Sequence, residues 1–470
     1  MLLGLAASAV GNQTFSSPAA QKFLVPQKLP GIPFEVPYSW AGNIPVSAAA
    51  NETNQLFFWL WAPAGDVGHD DVVVWLNGGP GCSSLEGTLE ENGPFTVSVA
   101  NDSDDVIVKP NPYSWTNLSY VVWIEAPVGV GFTKGEPGVD NEPGLARQFY
   151  GFLQQLFATF TELQGKRLWL TGESYAGMYI PYISHEIYSH PANASGIDLQ
   201  GFAINDPSFT TDFLGEEAPA FEFLETYQKV MNVSTKDVDD VRQVAEKQGV
   251  ATYVADNLHY PPRGRLSVPE QYHKSSSVWN SVFKAANKTE CFNPYMIKPD
   301  CRLTKDALGM PLNADEASAD NFLNNNADLK KAIHADPDTR WKECSLRGVF
   351  KGGGDISAAP DRTVLPDVIE KSKRSVIQHG TYDLVLIANG SALAIQNMTW
   401  GGKQGFHTQP HTVLRLDGSA RGVFHEERGL TYVQVDGSGH MIPEFKPKVA
   451  YKLQNYLLGH VSAADLGHPK

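Results

Sequence analysis

Arg167-Leu168-Trp169-Leu170-Thr171 runs directly into Gly172-Glu173-Ser174-Tyr175-Ala176-Gly177, and helix-forming residues follow. An apolar run that ends in small residues around a serine and then turns helical reads as a strand-to-helix elbow. The small neighbours let the turn tighten until the Ser174 hydroxyl projects from the sheet. The first backbone N–H groups of the helix then face a developing oxyanion. Short Gly/Ser patterns recur by accident, and this one is strictly G-x-S-x-A, so its meaning depends on its surroundings.

Upstream, Leu56–Trp61, Val72–Leu76 and Tyr120–Ile124 are short apolar runs bounded by turn residues, the pattern of buried strands. Between them and the elbow, residues Gly144–Leu163 space Leu145, Phe149, Phe152, Leu153, Leu156, Phe157 and Phe160 as a helix does. Strand, helix, strand alternation predicts an α/β fold with a central, mainly parallel sheet and helices on both faces. Such folds place their sites at the carboxyl ends of strands. From 206 to 359 the periodicity is irregular, with one clear helix at Thr235–Gln248 and three of the four cysteines. The sheet pattern resumes at Ser375–Gln378 and Thr431–Val435, and Lys448–Leu458 reads as a closing helix. The expected organisation is a core over 10–205 and 360–470, interrupted by a mostly helical cap over 206–359.

A serine nucleophile needs a base, and the base needs an orienting acid. Asp383, in His379-Gly380-Thr381-Tyr382-Asp383, and His440, in Asp436-Gly437-Ser438-Gly439-His440, each lie just past an expected strand. Their order along the chain is Ser, Asp, His. Of the histidines, His440 alone combines a strand-end position with a glycine-lined approach, which leaves His379, His407 and His411 as ordinary surface or core residues, and Asp436 is too near it in sequence for the usual separate-strand arrangement. A second oxyanion donor requires another loop, and Asn77-Gly78-Gly79-Pro80-Gly81 follows strand Val72–Leu76.

WLNGGPGCSS at 75–84, NPYSW at 111–115, EAPVGVGF at 125–132, GESYAGMYIP at 172–181 and GSGHMIP at 437–443 together resemble the serine carboxypeptidases, which have the α/β-hydrolase fold. The likeness is to fungal-type secreted members. It implies release of C-terminal amino acids through an acyl-enzyme, with Ser174, Asp383 and His440 as triad and the Gly79 and Tyr175 N–H groups as oxyanion hole. For the substrate carboxylate it implies Asn77, the Gly78 N–H, Glu173 and Glu91, with the Trp75 indole supporting the glutamate pair. Read without the resemblance, Glu90 and Glu91 are a solvated pair at a helix end. Met441, beside His440, is the candidate for a leaving-residue pocket. Two close carboxyl groups keep a proton to higher pH, so binding of a peptide carboxylate is expected to be best in acid. No metal or organic cofactor is implied. The chain departs from the family at Phe132-Thr133-Lys134, where Ser-Tyr often follows Gly-Phe, and at Leu386, where some members carry a free cysteine. Acyltransferases, lyases and esterases share this fold or triad; Asn77 and Glu173 favour the peptidase.

The 470 residues, 42 % hydrophobic and 19 % charged, exclude a disordered chain. A net charge of −15 disfavours nucleic acid and anionic membranes as partners; peptide or protein C-termini are the substrate that the resemblance implies. Met1 to Ala9 resembles the apolar part of a signal peptide. Sequons begin at Asn12, Asn51, Asn101, Asn117, Asn193, Asn232, Asn287, Asn389 and Asn397, which points to the secretory lumen and a secreted or, alternatively, vacuolar protein. The four cysteines show no zinc-type spacing. Cys291 and Cys301 can close a short loop, leaving Cys82 to pair with Cys344.

Overall fold

The computed structural model describes residues 15–65, 67–100, 105–304, 306–309, 321–345 and 348–467. The expected signal segment 1–9 and the sequons at Asn12 and Asn101 lie outside the described residues. In chain order the strands are β1 (Leu24–Val25), β2 (Ser39–Pro45), β3 (Gln55–Trp61), β4 (Asp71–Leu76), β5 (Phe95–Val99), β6 (Val106–Pro110), β7 (Tyr120–Glu125), β8 (Arg167–Glu173), β9 (Asp198–Asn205), β10 (Arg374–Gly380), β11 (Thr399–Trp400), β12 (Lys403–Gln404), β13 (Thr412–Leu416), β14 (Ser419–Glu427) and β15 (Leu430–Val435). Eleven of them form one sheet in the order β1-β2-β3-β7-β4-β8-β9-β10-β15-β14-β13. The central strands β7-β4-β8-β9-β10-β15 are parallel. Antiparallel strands extend both edges.

Alternation along each strand feeds two cores. Val72, Val74 and Leu76 of β4 pack with helices Glu142–Thr159 and Ala176–Tyr188 on one face. Val73 and Trp75 pack with helix Pro447–Leu457 on the other. Helix Glu142–Thr159 starts where Asn141 accepts from the Gly144 N–H at 2.8 Å, with proline and an acid in its first turn.

Residues 206–359 join β9 to β10 and divide in two. Helices Ala218–Tyr227, Thr235–Gln248 and Val278–Ala286 share an apolar cluster of their own, closed by Leu384, Ile387 and Leu393. Further on, Leu308, Phe322, Leu329, Ile333 and Trp341 instead join the core on the β4 Trp75 side of the sheet. Disulfides link Cys291 to Cys301 and Cys82 to Cys344. The second ties the loop after β4 to the far end of the insertion.

Asn51, Asn232 and Asn287 are exposed, and Asn117 and Asn389 partly so. Asn193 lies in the short helix Ala192–Ser195. Asn397 departs from expectation. It ends helix Ala388–Asn397 with 9 % exposure, and its Oδ1 accepts from the Leu266 N–H at 2.9 Å. A glycan there would crowd the chain packed around it.

Candidate active site

Ser174 stands at the end of β8 with φ 58°, a left-handed conformation that costs a non-glycine residue about 1–2 kcal/mol. The Ser174 N–H donates to Asn205 O at 3.0 Å, and Ser174 O accepts from the N–H groups of Gly177 and Ser208, each at 2.9 Å. The small flanking residues are required by close approach. A Cβ on Gly177 would lie 2.6 Å from Ser208 O, and one on Gly172 2.3 Å from Leu76 O. Gly78 lies against the elbow: its Cβ would sit 2.4 Å from Tyr175 N and 2.7 Å from Ser174 Cβ. The space over the Tyr175 N–H is therefore open only because residue 78 has no side chain.

His440 follows β15, and its Nδ1 bonds Asp383 Oδ2 at 2.7 Å. Both side chains are buried. Asp383 Oδ1 accepts from the N–H groups of Val385 at 2.8 Å and Leu386 at 3.2 Å. Burial opposes the Asp383 charge, but His440 and His379 outweigh it and hold the carboxyl below its ordinary range. The loop Asn293–Ile297 of the insertion binds both functional loops. Tyr295 O accepts from the His440 N–H at 2.7 Å, Pro294 O from Leu384 at 3.0 Å, and Ile297 donates to Tyr382 O at 3.1 Å.

Sequence patterns miss Asp206, which ends β9 one residue beyond Asn205 with φ 43°. Oxygens of Asp206 and Asp383 and a ring nitrogen of His440 lie within 4.8 Å of one another. Asp206 Oδ1 accepts from the Gly380 N–H at 2.8 Å. Burial, and then the Asp383 charge, raise its carboxyl well above the usual range. His379 is buried in the same layer, its Nε2 2.8 Å from Leu386 O and its Nδ1 2.9 Å from Ser391 Oγ.

Asn77 is the centre of a second buried group. Its Nδ2 donates to Glu173 Oε1 at 2.9 Å and to Glu91 Oε1 at 3.1 Å. Its Oδ1 accepts from Trp75 Nε1 at 2.7 Å and from the Gly87 N–H at 3.2 Å, which fixes the amide orientation. The indole thus acts through Asn77. A Cβ on Gly87 would come within 2.1 Å of Trp75 Nε1. Glu91 lies in the π-helical turn Gly87–Glu91 and is 2 % exposed, so it is not the solvated residue its neighbourhood suggests. Burial pushes Glu91 up to about 7 despite its bonds to Asn77 and Glu173. Burial and the Glu91 charge push Glu173 further above its ordinary value. Two carboxyl groups this close and this buried favour sharing one proton over ionising together, and Oε2 of each glutamate has no hydrogen-bond partner within the protein.

Comparison with known proteins adds to this geometry. Residues 30–460 match the serine carboxypeptidase family. The chain belongs to that family. It is 38 % identical to a probable serine carboxypeptidase of Arthroderma benhamiae, over 92 % of this chain and 85 % of the relative. It is 35 % identical to the serine-type carboxypeptidase F of Aspergillus niger, over 92 % and 86 %. Among solved structures, Kex1(delta)p, a prohormone-processing carboxypeptidase of Saccharomyces cerevisiae, superposes with TM-score 0.72 and 22 % identity, covering 95 % of this chain and 97 % of that one. This last likeness establishes the α/β-hydrolase fold.

As in a serine carboxypeptidase, the elbow and the glycine-rich loop of this chain meet above the sheet. Met441 lines a cavity that also reaches Glu91. Tyr295 stacks edge-on to the His440 ring at a centroid distance of 5.2 Å. No motif marks Tyr295 in the sequence, because its contribution comes through its carbonyl and ring face. The described residues contain no helix long and apolar enough to cross a membrane.

Proposed function

We propose that this serine carboxypeptidase releases C-terminal residues with Ser174 as nucleophile, His440 as base and Asp383 as its orienting acid. Ser174 Oγ attacks the last peptide carbonyl while His440 takes its proton, and the Gly79 and Tyr175 N–H groups stabilise the oxyanion. His440 then gives the proton to the leaving amine. Water, deprotonated by the same imidazole, hydrolyses the acyl-enzyme. The insertion over 206–359 serves as the cap, a reading supported by the contacts of residues 293–297 with both functional loops. A chain with this many sequons passes through the secretory lumen and is secreted or, alternatively, delivered to a vacuole.

The observation that carries the reading is the buried Asn77–Glu91–Glu173 group, on the same two loops as the nucleophile. An esterase needs no such group. The group's spare glutamate oxygens and shared proton suit one ligand, a carboxylate held by the Gly78 N–H, a protonated Glu173 and an Asn77 Nδ2 hydrogen given up by one glutamate when the ligand enters. The sign of the pH effect follows. The proton is present below the raised values and lost as pH climbs through about 7, so peptide affinity is best in acid. Leucine release from a blocked Phe-Leu dipeptide, absent in Ser174→Ala, tests the activity. KM for that peptide should rise by about tenfold between pH 5 and 8 in the wild type. The rise should flatten in Glu91→Gln and Glu173→Gln, while a blocked ester without a carboxylate shows no such rise. Unchanged pH profiles in both variants would remove the carboxylate site from the mechanism.

A further inference from the structure

Beyond Glu91 the site opens into a cavity of about 680 Å³, ample for one side chain. Met441 and Tyr295, the neighbours of His440, form part of its wall. A carboxylate held on Asn77 and the glutamate pair is one bond from the Cα of the leaving residue. Glu91 of that pair lines the cavity, which sets it beside the leaving residue's side chain in the carboxypeptidase reading.

The cavity is anionic. Among the described residues it presents seven carboxyl groups, at Glu86, Glu90, Glu91, Asp300, Asp306, Glu343 and Glu444, and two cations. Arg302 is paired with Asp300, which it holds at about 2, and Lys109 is exposed on β6. Glu90, Asp306 and Glu343 each place an oxygen within 4.8 Å of the others. Glu343 is 4 % exposed, faces the cavity, and its buried Oε2 has no hydrogen-bond partner. An orphaned buried carboxylate oxygen is costly until a donor reaches it. Tyr113, Pro443 and Phe445 supply apolar wall for an aliphatic stem.

We propose that this cavity receives a lysine or arginine leaving residue, its cationic head set among Glu90, Asp306 and Glu343. The inference rests on the carboxypeptidase reading above. It has a pH signature opposite to that of the carboxylate clamp. Burial and mutual repulsion hold Glu86, Glu90 and Glu343 well above the ordinary carboxyl range, and push Glu444 up to about 8. Tyr295, raised by burial, stays neutral across this span, while Lys109 and the Arg302–Asp300 pair face the acids from the hairpin and the neighbouring loop. In acid the cavity carboxyls are neutral and attract a cation weakly. As pH rises they ionise, and a bound cation favours the ionised form. Preference for a charged leaving residue therefore grows with pH while overall peptide affinity declines.

The test compares kcat/KM for blocked dipeptides that share one acyl residue and end in lysine, norleucine, arginine, citrulline or leucine. Assays contain a chelator, so that no divalent cation neutralises the same acids, and enzyme is counted by active-site titration of Ser174. Lysine over norleucine and arginine over citrulline are expected at about tenfold near pH 7, and less at pH 5. Glu90→Gln combined with Glu343→Gln should lower both ratios at least about fivefold. Ratios of one or below at every pH, with leucine still released, would overturn the cationic pocket and leave the carboxypeptidase reading intact. A ratio that falls as pH rises, or that the double variant leaves unchanged, also overturns it. Ester cleavage with no release from any dipeptide would overturn both readings.

Discussion

Ser174 and Asp206 are non-glycine residues held at positive φ at the ends of adjacent, paired strands. Ser174 accepts that strain because the left-handed turn throws its hydroxyl clear of β8. Asp206 is held there by the bond to Gly380, which aims its carboxyl at Asp383. The Asp206 carboxyl is held high by burial and the Asp383 charge, and a proton kept there would be donated to Asp383, dispersing its charge and loosening its grip on the imidazolium. Replacing Asp206 by glycine removes the side chain while tolerating φ 43°. In Asp206→Gly the acid limb of kcat/KM for an ester should move to higher pH by about half a unit to one unit, the worth of one hydrogen bond. Asp206→Asn keeps a donor and should restore the limb. A shift of equal size in both variants would show that Asp206 acts only through packing. Residue identity alone does not reveal this role: an aspartate after an asparagine at a strand end resembles any polar turn.

At the level of elements, the strands that set the catalytic geometry were legible where apolar runs were unbroken. β4, β7, β8, β10 and β15 lie within a residue or two of the runs that predict them. β9 was not, because Gln200 and Gly201 interrupt it. That glycine is a requirement of pairing: a Cβ there would meet Arg374 O of β10 at 1.9 Å. The edge strands β13 and β14, half solvated and polar, gave no signal either. Glu91 was legible only by resemblance, since a lone sequence does not tell a buried π-helical turn from a solvated helix end. The disulfides were readable from spacing, and their consequences differ. Cys82–Cys344 closes 262 residues and anchors the loop that carries Asn77 and Gly78, whereas Cys291–Cys301 closes only 10. Loop-closure entropy assigns about 5.5 kcal/mol to the long bridge and about 3 kcal/mol to the short one. Urea unfolding of Cys82→Ser/Cys344→Ser against Cys291→Ser/Cys301→Ser should therefore show the larger loss in the first pair. Equal losses would mean that local packing, not chain connectivity, sets the value of each bridge.

Across the whole molecule, the acidic composition takes a specific form in the fold. Burial raises Asp361 to about 6, Glu125 and Glu216 to about 7, alongside the acids of the clamp and cavity. A carboxyl whose folded value exceeds its unfolded one binds more protons in the native state between the two. Stability from that group is complete below about 4.5 and is lost as pH rises through its folded value. Asp383 and Asp71 have the opposite sign. Burial opposes their charge, yet His440 and His379 hold Asp383 low, and His460, Trp169 and Arg167 hold Asp71 low. Their contribution is present above the ordinary aspartate value and lost in stronger acid. The raised group is larger, so the melting temperature should peak near pH 5 and fall by about 5 °C or more by pH 8. Calorimetry at fixed ionic strength measures this directly, and Glu125→Gln should flatten part of the slope, because its neutral amide no longer ionises inside the core. A melting temperature constant or rising from pH 5 to 8 would mean that the buried carboxyls are already ionised. The proton-sharing clamp, which depends on the same physics, would then lose its support.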